Sequence, residues 1–316
     1  QMVSAPFFYF ENVVSSRSAW STIQRHFHGI DPEFVDSKYF SCAKRERGYV
    51  HNLPIEGREL IIPEPPLTIK DAFPEKRPYW PLWDTRKKLE CITKKRVPEK
   101  KCREIREKIE QYRGMEIPLL EQQEIISTCK EYNLIWVAPG EVANLEPNEM
   151  EMALGFDRDH TRGSFTMKER LESLENAFQV NTIAYHLSPL KRMFPNGIRL
   201  LSLFAGVGGA EVALHKIGIS LRHVVCVEIK EKCRNVVEIW WKKTNQSGNI
   251  IFKNDVQDLT YDTLLSIFEE IGGFDLVIGG SPCSDPSGEQ REEDCSLFYE
   301  FPRIFNIVKQ LTSKGQ

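Results

Sequence analysis

The sequence predicts an α/β fold in which a mixed, mostly parallel sheet carries helices on both faces. Two observations lead to this fold class. From residue 197 onward, apolar and β-branched runs alternate with helical patterns, and such alternation is typical of a parallel sheet. A glycine-rich turn, Phe204–Gly209, follows the first of these runs and precedes a helical pattern, as in folds that bring backbone N–H groups close to a ligand.

The predicted elements of the second half follow a regular order. They are strand 197–204, helix 210–217, strand 223–229, helix 231–243, strand 249–253, helix 262–271, strand 274–278 and helix 297–308. Pro302 would kink the last helix unless it lies in the first turn.

The first half is less regular, with a short strand at 7–9, a helix at 20–26, and helical patterns at 119–134 and 168–190. Many prolines and aromatic residues in 54–84 predict a loop-rich insertion. We assign 1–53 and 151–316 to the sheet core and 54–150 to the insertion.

The composition excludes several classes of protein. With 316 residues, 41% hydrophobic and 28% charged, the chain can form one large or two ordinary globular domains. It contains neither an apolar run long enough for a membrane span nor a signal peptide, and its start at Gln1 suggests a piece of a longer protein. Eight scattered cysteines without a CxxC pair predict reduced intracellular thiols. No metal site is expected, since the His26-Phe27-His28 segment has no further ligands nearby.

The glycine turn and the strand ends that follow it indicate a cofactor site. The third glycine follows the second directly, so the turn does not fit the dinucleotide pattern GxGxxG. Glu228 ends the next strand, where it can bind a ribose diol, and Asp255 follows the strand after that, where it can accept from an adenine amino group. This layout is that of S-adenosylmethionine pockets; the alternative is a nucleotide fold that binds NAD or nothing. The predicted cofactor contacts here are Phe204, Gly206, Gly208, Gly209, Glu228, Ile229, Asp255 and Val256.

Two further motifs supply chemistry. Pro282-Cys283 leaves the carboxyl end of a predicted parallel strand, where open α/β sheets bind ligands. A thiol there can act as a nucleophile once activated, although a buried inert cysteine is the simpler interpretation of Cys283 alone. Glu11-Asn12-Val13 comes shortly after the strand at 7–9, and a carboxyl in that place can act as an acid toward a ring nitrogen.

Together the three motifs resemble the cytosine-5 DNA methyltransferases. In that family the glycine turn comes first, then Pro-Cys, then Glu-Asn-Val, whereas Glu-Asn-Val comes first here. The permuted order resembles the plant domains rearranged methyltransferases, which act in RNA-directed de novo DNA methylation and gene silencing. Further stretches match that family: 33–40, 47–54, 71–74, 178–180 and 273–280. The resemblance implies a circularly permuted, Rossmann-like methyltransferase fold and an insertion that corresponds to the target-recognition region.

The resemblance also implies roles for individual residues. Cys283 attacks cytosine C6, Glu11 holds N3, and a methyl group passes from S-adenosylmethionine to C5. Arg45 and Arg47 match the arginine motif that steadies the target base and its phosphates. The target base is flipped out of the duplex, and the protein is nuclear. Asn176 and Ala177 match a cofactor-binding segment.

Departures from the family pattern predict a weak or inactive catalyst. The loop 284–294 after Cys283 is shorter than in active relatives and holds five acids against one base, Arg291, a net charge of −4. This charge opposes closure on DNA, although Arg291 could still act as a wedge. Glu175 stands where the family has glycine and should weaken S-adenosylmethionine binding, unless its side chain faces solvent. These features resemble the third-type, catalytically deficient member, which implies a partner of an active paralogue, a homodimer or a chromatin complex. The alternative is a working methyltransferase, since Cys283 and Glu11 are kept.

A basic stretch lies in the insertion. Residues 84–113 hold twelve Lys or Arg and six Asp or Glu. Lys94, Lys95 and Arg96 could contact DNA phosphates, which matters because the whole chain has a net charge of only −3. Alternatively the stretch is a solvated helix face with the i,i+4 pairs Arg103–Glu107, Glu104–Lys108 and Arg106–Glu110.

Overall fold

The computed structural model describes residues 6–14, 16–163, 165–282 and 296–314. The chain divides into two compact units. The sheet unit comprises 1–35, 46–63 and 176–316, and the inserted unit comprises 36–45 and 64–175. These divisions lie elsewhere than the boundaries drawn from sequence at 53 and 150. The correspondence of the insertion to a target-recognition region stays a prediction.

The sheet unit is built around a mixed, mostly parallel sheet, as the sequence predicted. Its strands are β1 (Phe7–Val13), β2 (Glu33–Asp36), β3 (Glu46–His51), β6 (Ile198–Leu203), β7 (Leu221–Val227), β8 (Asn249–Lys253) and β9 (Leu276–Gly280). In the described residues they form one seven-stranded sheet in the order β2-β3-β1-β9-β6-β7-β8. The pairs β1–β9, β9–β6, β6–β7 and β7–β8 are parallel, and β1–β3 is antiparallel.

Helices connect these strands. In the sheet unit they are α1 (Arg17–His26), α7 (Val180–Leu187), α8 (Leu190–Met193), α9 (Gly209–Lys216), α10 (Glu231–Lys243), α11 (Tyr261–Ile271) and α12 (Glu300–Lys314). The inserted unit holds α2 (Ile69–Ala72), α3 (Glu99–Glu110), α4 (Leu119–Glu131), the hairpin β4 (Ile135–Ala138) and β5 (Glu141–Ala143), α5 (Pro147–Ala153) and α6 (Met167–Glu175). Each helix of the described residues is too short or too polar to cross a membrane.

The chain permutation is accommodated by β1. This strand from the start of the chain lies parallel to β9, with Phe7 beside Leu276 and Glu11 beside Gly280. Burial of aromatic side chains stabilises that position. The Phe8 ring lies 4.7 Å from that of Phe305 on α12, and both residues are buried. The N-terminal strand is therefore a central strand of the sheet.

Three expectations about the elements change. β1 runs through Val13, so Glu11 lies within the strand and not after it as predicted; pairing with both β3 and β9 extends it. The single helical pattern at 168–190 is two helices, and the Gln179 side chain caps the second by accepting from the Thr182 N–H. Pro302 is the third residue of α12, in the first turn, where a missing N–H breaks no helical bond.

A buried polar cluster joins β1, β2, β3 and α7 within the sheet unit. Arg58 donates to both carboxylate oxygens of Glu33, each at 2.8 Å. His51 lies 3.1 Å from the same carboxylate, and the Tyr9 hydroxyl lies 2.6 Å from Nδ1 of His186. Burial lowers the pKa of His186 to about 3, and the charge of Arg58 acts in the same direction. Burial opposes ionisation of Glu33, yet its bonds to His51 and Arg58 hold the pKa of that carboxyl far below 4.5.

The cluster should make folding stability depend on pH. Unfolded, His186 binds a proton below its ordinary pKa of 6.5, whereas folded it does so only below about 3. The unfolded state therefore binds more protons between these two pH values. As pH falls through this range, the contribution of neutral His186 to the free energy of unfolding decreases by up to about 1.4 kcal/mol per pH unit. Urea unfolding from pH 7.5 down to 4.5 measures this slope. His186→Gln should flatten it, while His28→Gln, an exposed control, should not; equal slopes in both variants would contradict the assignment to His186.

Candidate cofactor and catalytic site

The glycine turn holds three left-handed conformations, at alternate residues. Phe204 has φ +53°, Gly206 +55° and Gly208 +83°. Such angles strain residues other than glycine and are concentrated at ligand sites. A Cβ placed on Gly206 would meet nothing within 4 Å, whereas one on Gly208 would lie 3.0 Å from the Val237 side chain. The turn is therefore packed beneath Gly208 and open at Gly206.

Glu228 connects the turn to the end of the next strand. One carboxylate oxygen accepts from the Gly206 N–H at 2.8 Å, and the other accepts from the Lys230 N–H at 2.9 Å. Each oxygen keeps a lone pair for a further donor. The next residue, Ile229, is 67% exposed, which offers an apolar surface beside the acid.

Asp255 follows β8, the neighbour of β7 in the sheet. One of its oxygens accepts from the Gln257 N–H at 2.9 Å, and the adjoining Val256 is buried. Acids therefore stand at two neighbouring strand ends, beside an exposed isoleucine and an open glycine turn. These groups match the ribose, adenine ring and adenine amino group of S-adenosylmethionine, so the residues present fit that cofactor.

The Glu11 carboxyl lies at the edge of the sheet where β9 ends, shortly before the Pro-Cys motif in sequence. In the parallel register Glu11 is beside Gly280, three residues before Cys283. A Cβ on Gly280 would lie 3.0 Å from Oε2 of Glu11, so this glycine permits the close approach. Nε of Arg47 lies 3.1 Å from Oε1 of Glu11, and both side chains are only 13% exposed. Cys283 itself lies outside the described residues, as does Arg291.

Phe178 is a site residue that sequence analysis quoted only as part of a family match. A Cβ on Gly209 would lie 3.1 Å from Cβ of Phe178, and a Cβ on Gly280 would lie 3.2 Å from Cε1 of the same ring. The ring thus packs against both the glycine turn and the strand end beside Glu11. Immediately before Phe178 in the chain, Asn176 is exposed and Ala177 is buried.

Arg45 and Glu175 lie together inside the inserted unit. The Arg45 side chain donates to the Glu175 carbonyl at 2.9 Å, and Arg45 is 3% exposed. This burial favours a structural role for Arg45, and contact with a target base stays a prediction. The Glu175 carboxylate lies 3.9 Å from Nζ of Lys94, so its charge is directed toward a lysine.

Many basic residues of the stretch form local or cross-element ion pairs in the described residues. Lys95 pairs with Glu131 and Arg96 with Glu146. The pairs on α3 differ from the predicted i,i+4 set: they are Lys101–Glu104, Arg106–Glu141, Lys108–Glu121, Lys108–Glu124 and Arg113–Glu110. Partners on α4 and β5 compete with those on the same helix, because a packed neighbour holds its carboxylate at closer range. The arrangement favours the solvated-face interpretation over phosphate contacts.

Glu211 is a second residue that sequence analysis did not single out. It lies in the first turn of α9 and is fully buried. Neither of its carboxylate oxygens forms a hydrogen bond in the described structure. A charged residue inside the otherwise apolar stretch Leu200–Leu214 was the available signal, since buried carboxylates are rarely left without partners. No group of three or more His, Cys, Asp or Glu side chains in the described residues could hold a metal ion.

Known proteins are similar to this chain in sequence. The family model described as C-5 cytosine-specific DNA methylase matches residues 198–311. DNA (cytosine-5)-methyltransferase DRM2 of Arabidopsis thaliana is 49% identical over 314 residues, which cover 96% of this chain and 50% of that protein. DRM2 of Oryza sativa subsp. japonica is 45% identical, covering 99% of this chain and 53% of that protein. Rice DRM3, named a probable inactive DNA (cytosine-5)-methyltransferase, is 35% identical over 100% of this chain and 47% of its own length.

These identities bear on both parts of the sequence interpretation. The resemblance to the permuted plant family is confirmed. The identity to these two DRM2 proteins is higher than the identity to rice DRM3, which favours the working-enzyme alternative. The chain spans about half the length of the curated relatives it matches. The protein belongs to the plant domains rearranged methyltransferases, a family of cytosine-5 DNA methyltransferases.

Proposed function

We propose that the chain transfers a methyl group to C5 of cytosine in duplex DNA, in the nucleus, as part of RNA-directed de novo methylation. The observation that carries the proposal is the placement of Glu11 beside Gly280, with Arg47 bound to its carboxylate. That contact brings the Glu-Asn-Val motif to the end of the strand that precedes the Pro-Cys motif in sequence.

The residues of the site divide the work. S-adenosylmethionine, when bound, supplies the methyl group. Gly206, Glu228 and Asp255 hold the cofactor through the turn and the two strand-end acids, and Ile229 contacts its adenine ring. Phe204, Gly208, Gly209, Val256, Asn176 and Ala177 complete the proposed contacts.

Catalysis falls to two side chains. The Cys283 thiolate forms a bond to cytosine C6, which makes C5 nucleophilic. Glu11, positioned by Arg47, holds N3 of the flipped base by donating its carboxyl proton to that ring nitrogen. After methyl transfer, loss of the C5 proton and release of the thiolate restore the aromatic ring.

A second function is favoured by the sequence of the loop after Cys283. Its net charge of −4 repels the phosphates that the loop must approach. On this proposal the chain is a weak or inactive methyltransferase that acts as a partner of an active paralogue, as a homodimer or in a chromatin complex. Kept motifs at the sheet edge then serve folding and cofactor binding.

Transfer of a labelled methyl group to unmethylated duplex DNA separates the two functions. Turnover by the purified chain supports the enzyme. Tight S-adenosylmethionine binding in calorimetry without turnover supports the partner function and indicates that the defect lies in DNA binding. Absence of cofactor binding would contradict the proposed site itself.

Glu175 is expected to weaken S-adenosylmethionine binding less than the sequence suggested. Its carboxylate is directed toward Lys94, so Glu175→Gly should raise S-adenosylmethionine affinity by less than about threefold, the scale of an exposed ion pair. Calorimetry compares this variant with Glu175→Gln, which keeps the size and removes the charge. A rise of about tenfold or more in the glycine variant alone would show that the bulk of Glu175 does obstruct the cofactor.

A further inference from the structure

The Glu211 carboxyl lies directly beneath the glycine turn. Oε2 of Glu211 lies 3.6 Å from the position of a Cβ on Gly208. The residue is 0% exposed, and neither oxygen forms a hydrogen bond. An ionised carboxylate so placed carries a high desolvation cost. The group is therefore poised between a neutral form that suits its burial and an anionic form that needs a cation nearby.

Among the residues that the structure describes, no cation acts on the Glu211 carboxyl. β6 contributes the Ser202 hydroxyl, and β7 contributes the Cys226 thiol, whose pKa burial raises. On α7, which packs against α9, His186 is bound to Tyr9. On α10, Arg234 donates to the carbonyls of Glu228 and Ile229.

The remaining titratable groups around α9 are few. Tyr185 lies on α7, Cys233 lies on α10, Glu228 is held by two backbone N–H groups, and His215 and Lys216 occupy the last turn of α9, away from its start. Burial raises the pKa of Glu211 to about 7; its own backbone N–H and the Ser202 hydroxyl lie close enough to oppose this rise, although neither completes a hydrogen bond to the carboxyl.

We propose that Glu211 ionises when the cationic methyl donor binds against the glycine turn, and is protonated again when the neutral demethylated product takes its place. This inference rests on the proposed cofactor site. S-adenosylmethionine carries a sulfonium charge that S-adenosylhomocysteine lacks, and the two are otherwise nearly the same shape. A buried carboxyl on the other side of a thin glycine turn distinguishes them by charge. The proton passes to solvent on donor binding and returns from solvent on exchange for product.

Proton release on cofactor binding tests the proposal without any turnover. Calorimetry at pH 6.5 in two buffers of different ionisation enthalpy gives the number of protons released per cofactor. With Glu211 mostly protonated at this pH, we expect release of about half a proton with S-adenosylmethionine and close to none with S-adenosylhomocysteine. The amino groups of the cofactors also titrate, so the quantity that counts is the difference between wild type and Glu211→Gln.

Glu211→Gln should abolish the excess proton release with S-adenosylmethionine over S-adenosylhomocysteine, and it should lower the preference for donor over product by about threefold to tenfold at pH 8. Glu231→Gln is the matched control, because Glu231 is an exposed acid in the first turn of the neighbouring α10; it should leave both quantities unchanged. Equal proton release by wild type and Glu211→Gln overturns the inference, as does donor binding by wild type with no release.

Two further outcomes of the experiment also decide the proposal. If Glu211→Gln does not fold, as judged by thermal unfolding, the wild-type protein alone decides: its release must fall as pH is raised through 7 to 8.5, and a release independent of pH contradicts the proposal. If wild type binds no S-adenosylmethionine, the proposed cofactor site fails and the inference fails with it.

Discussion

Replacing Glu11 with glutamine is expected to lower kcat for methyl transfer about a hundredfold to a thousandfold, the range of a lost acid–base contribution. Glutamine keeps the size of the side chain but removes the charge that Arg47 binds at 3.1 Å. The residue lies at the sheet edge, apart from the glycine turn. S-adenosylmethionine affinity, measured by calorimetry, should therefore change less than about twofold, which separates a catalytic loss from a binding loss.

Two variants on β3 complete that experiment. Glu46→Gln is the matched control, because Glu46 is an exposed acid on the neighbouring strand, and it should keep wild-type kcat. Arg47→Lys keeps a positive charge but loses the Nε–H contact to Glu11, so it should fall between wild type and Glu11→Gln. If Glu11→Gln keeps more than about a tenth of wild-type kcat, Glu11 does not serve the reaction in the proposed way.

The alternation of strands and helices after residue 197 could be predicted because it follows from the local periodicity of apolar residues. β8 and α10 begin and end at the predicted residues, since the polar residues that bound them are adjacent in the chain. The length of β1 could not be predicted in this way. Its last residues stay in the strand because they pair with β3 on one side. On the other side β1 pairs with β9, which lies more than 260 residues away in the chain.

Some residues of the candidate site could likewise be placed from local sequence, and others could not. Glu228 and Asp255 could be placed because the carboxyl ends of parallel strands meet at one edge of the sheet. The position of Arg45 could not, because its burial depends on a carbonyl at Glu175, 130 residues along the chain. Likewise the ion pairs of α3 depend on glutamates of α4 and β5. A helix examined alone offers only its own i,i+3 and i,i+4 partners.

The pKa values of other thiols in the chain reduce the number of cysteines that could be the nucleophile. Burial raises the pKa of Cys42 to about 11 and that of Cys129 to about 12, and it raises the pKa of Cys226 as well. A thiol must ionise to attack cytosine, so these three are inert at neutral pH. Cys283 is the cysteine that follows the strand end beside Glu11.

Cys283→Ala should therefore abolish methyl transfer, a loss of at least about a thousandfold, while S-adenosylmethionine affinity stays within about twofold of wild type. Cys102→Ala, at a half-buried thiol of the inserted unit, should keep full turnover and serves as the control. Transfer that survives Cys283→Ala would exclude this thiol as the nucleophile. Transfer lost on Cys283→Ala would exclude the partner-only function, because the wild-type activity must then come from this chain. The acidic loop that follows Cys283 would in that case reduce the rate of a working enzyme, and its charge should appear as a turnover that changes with salt concentration.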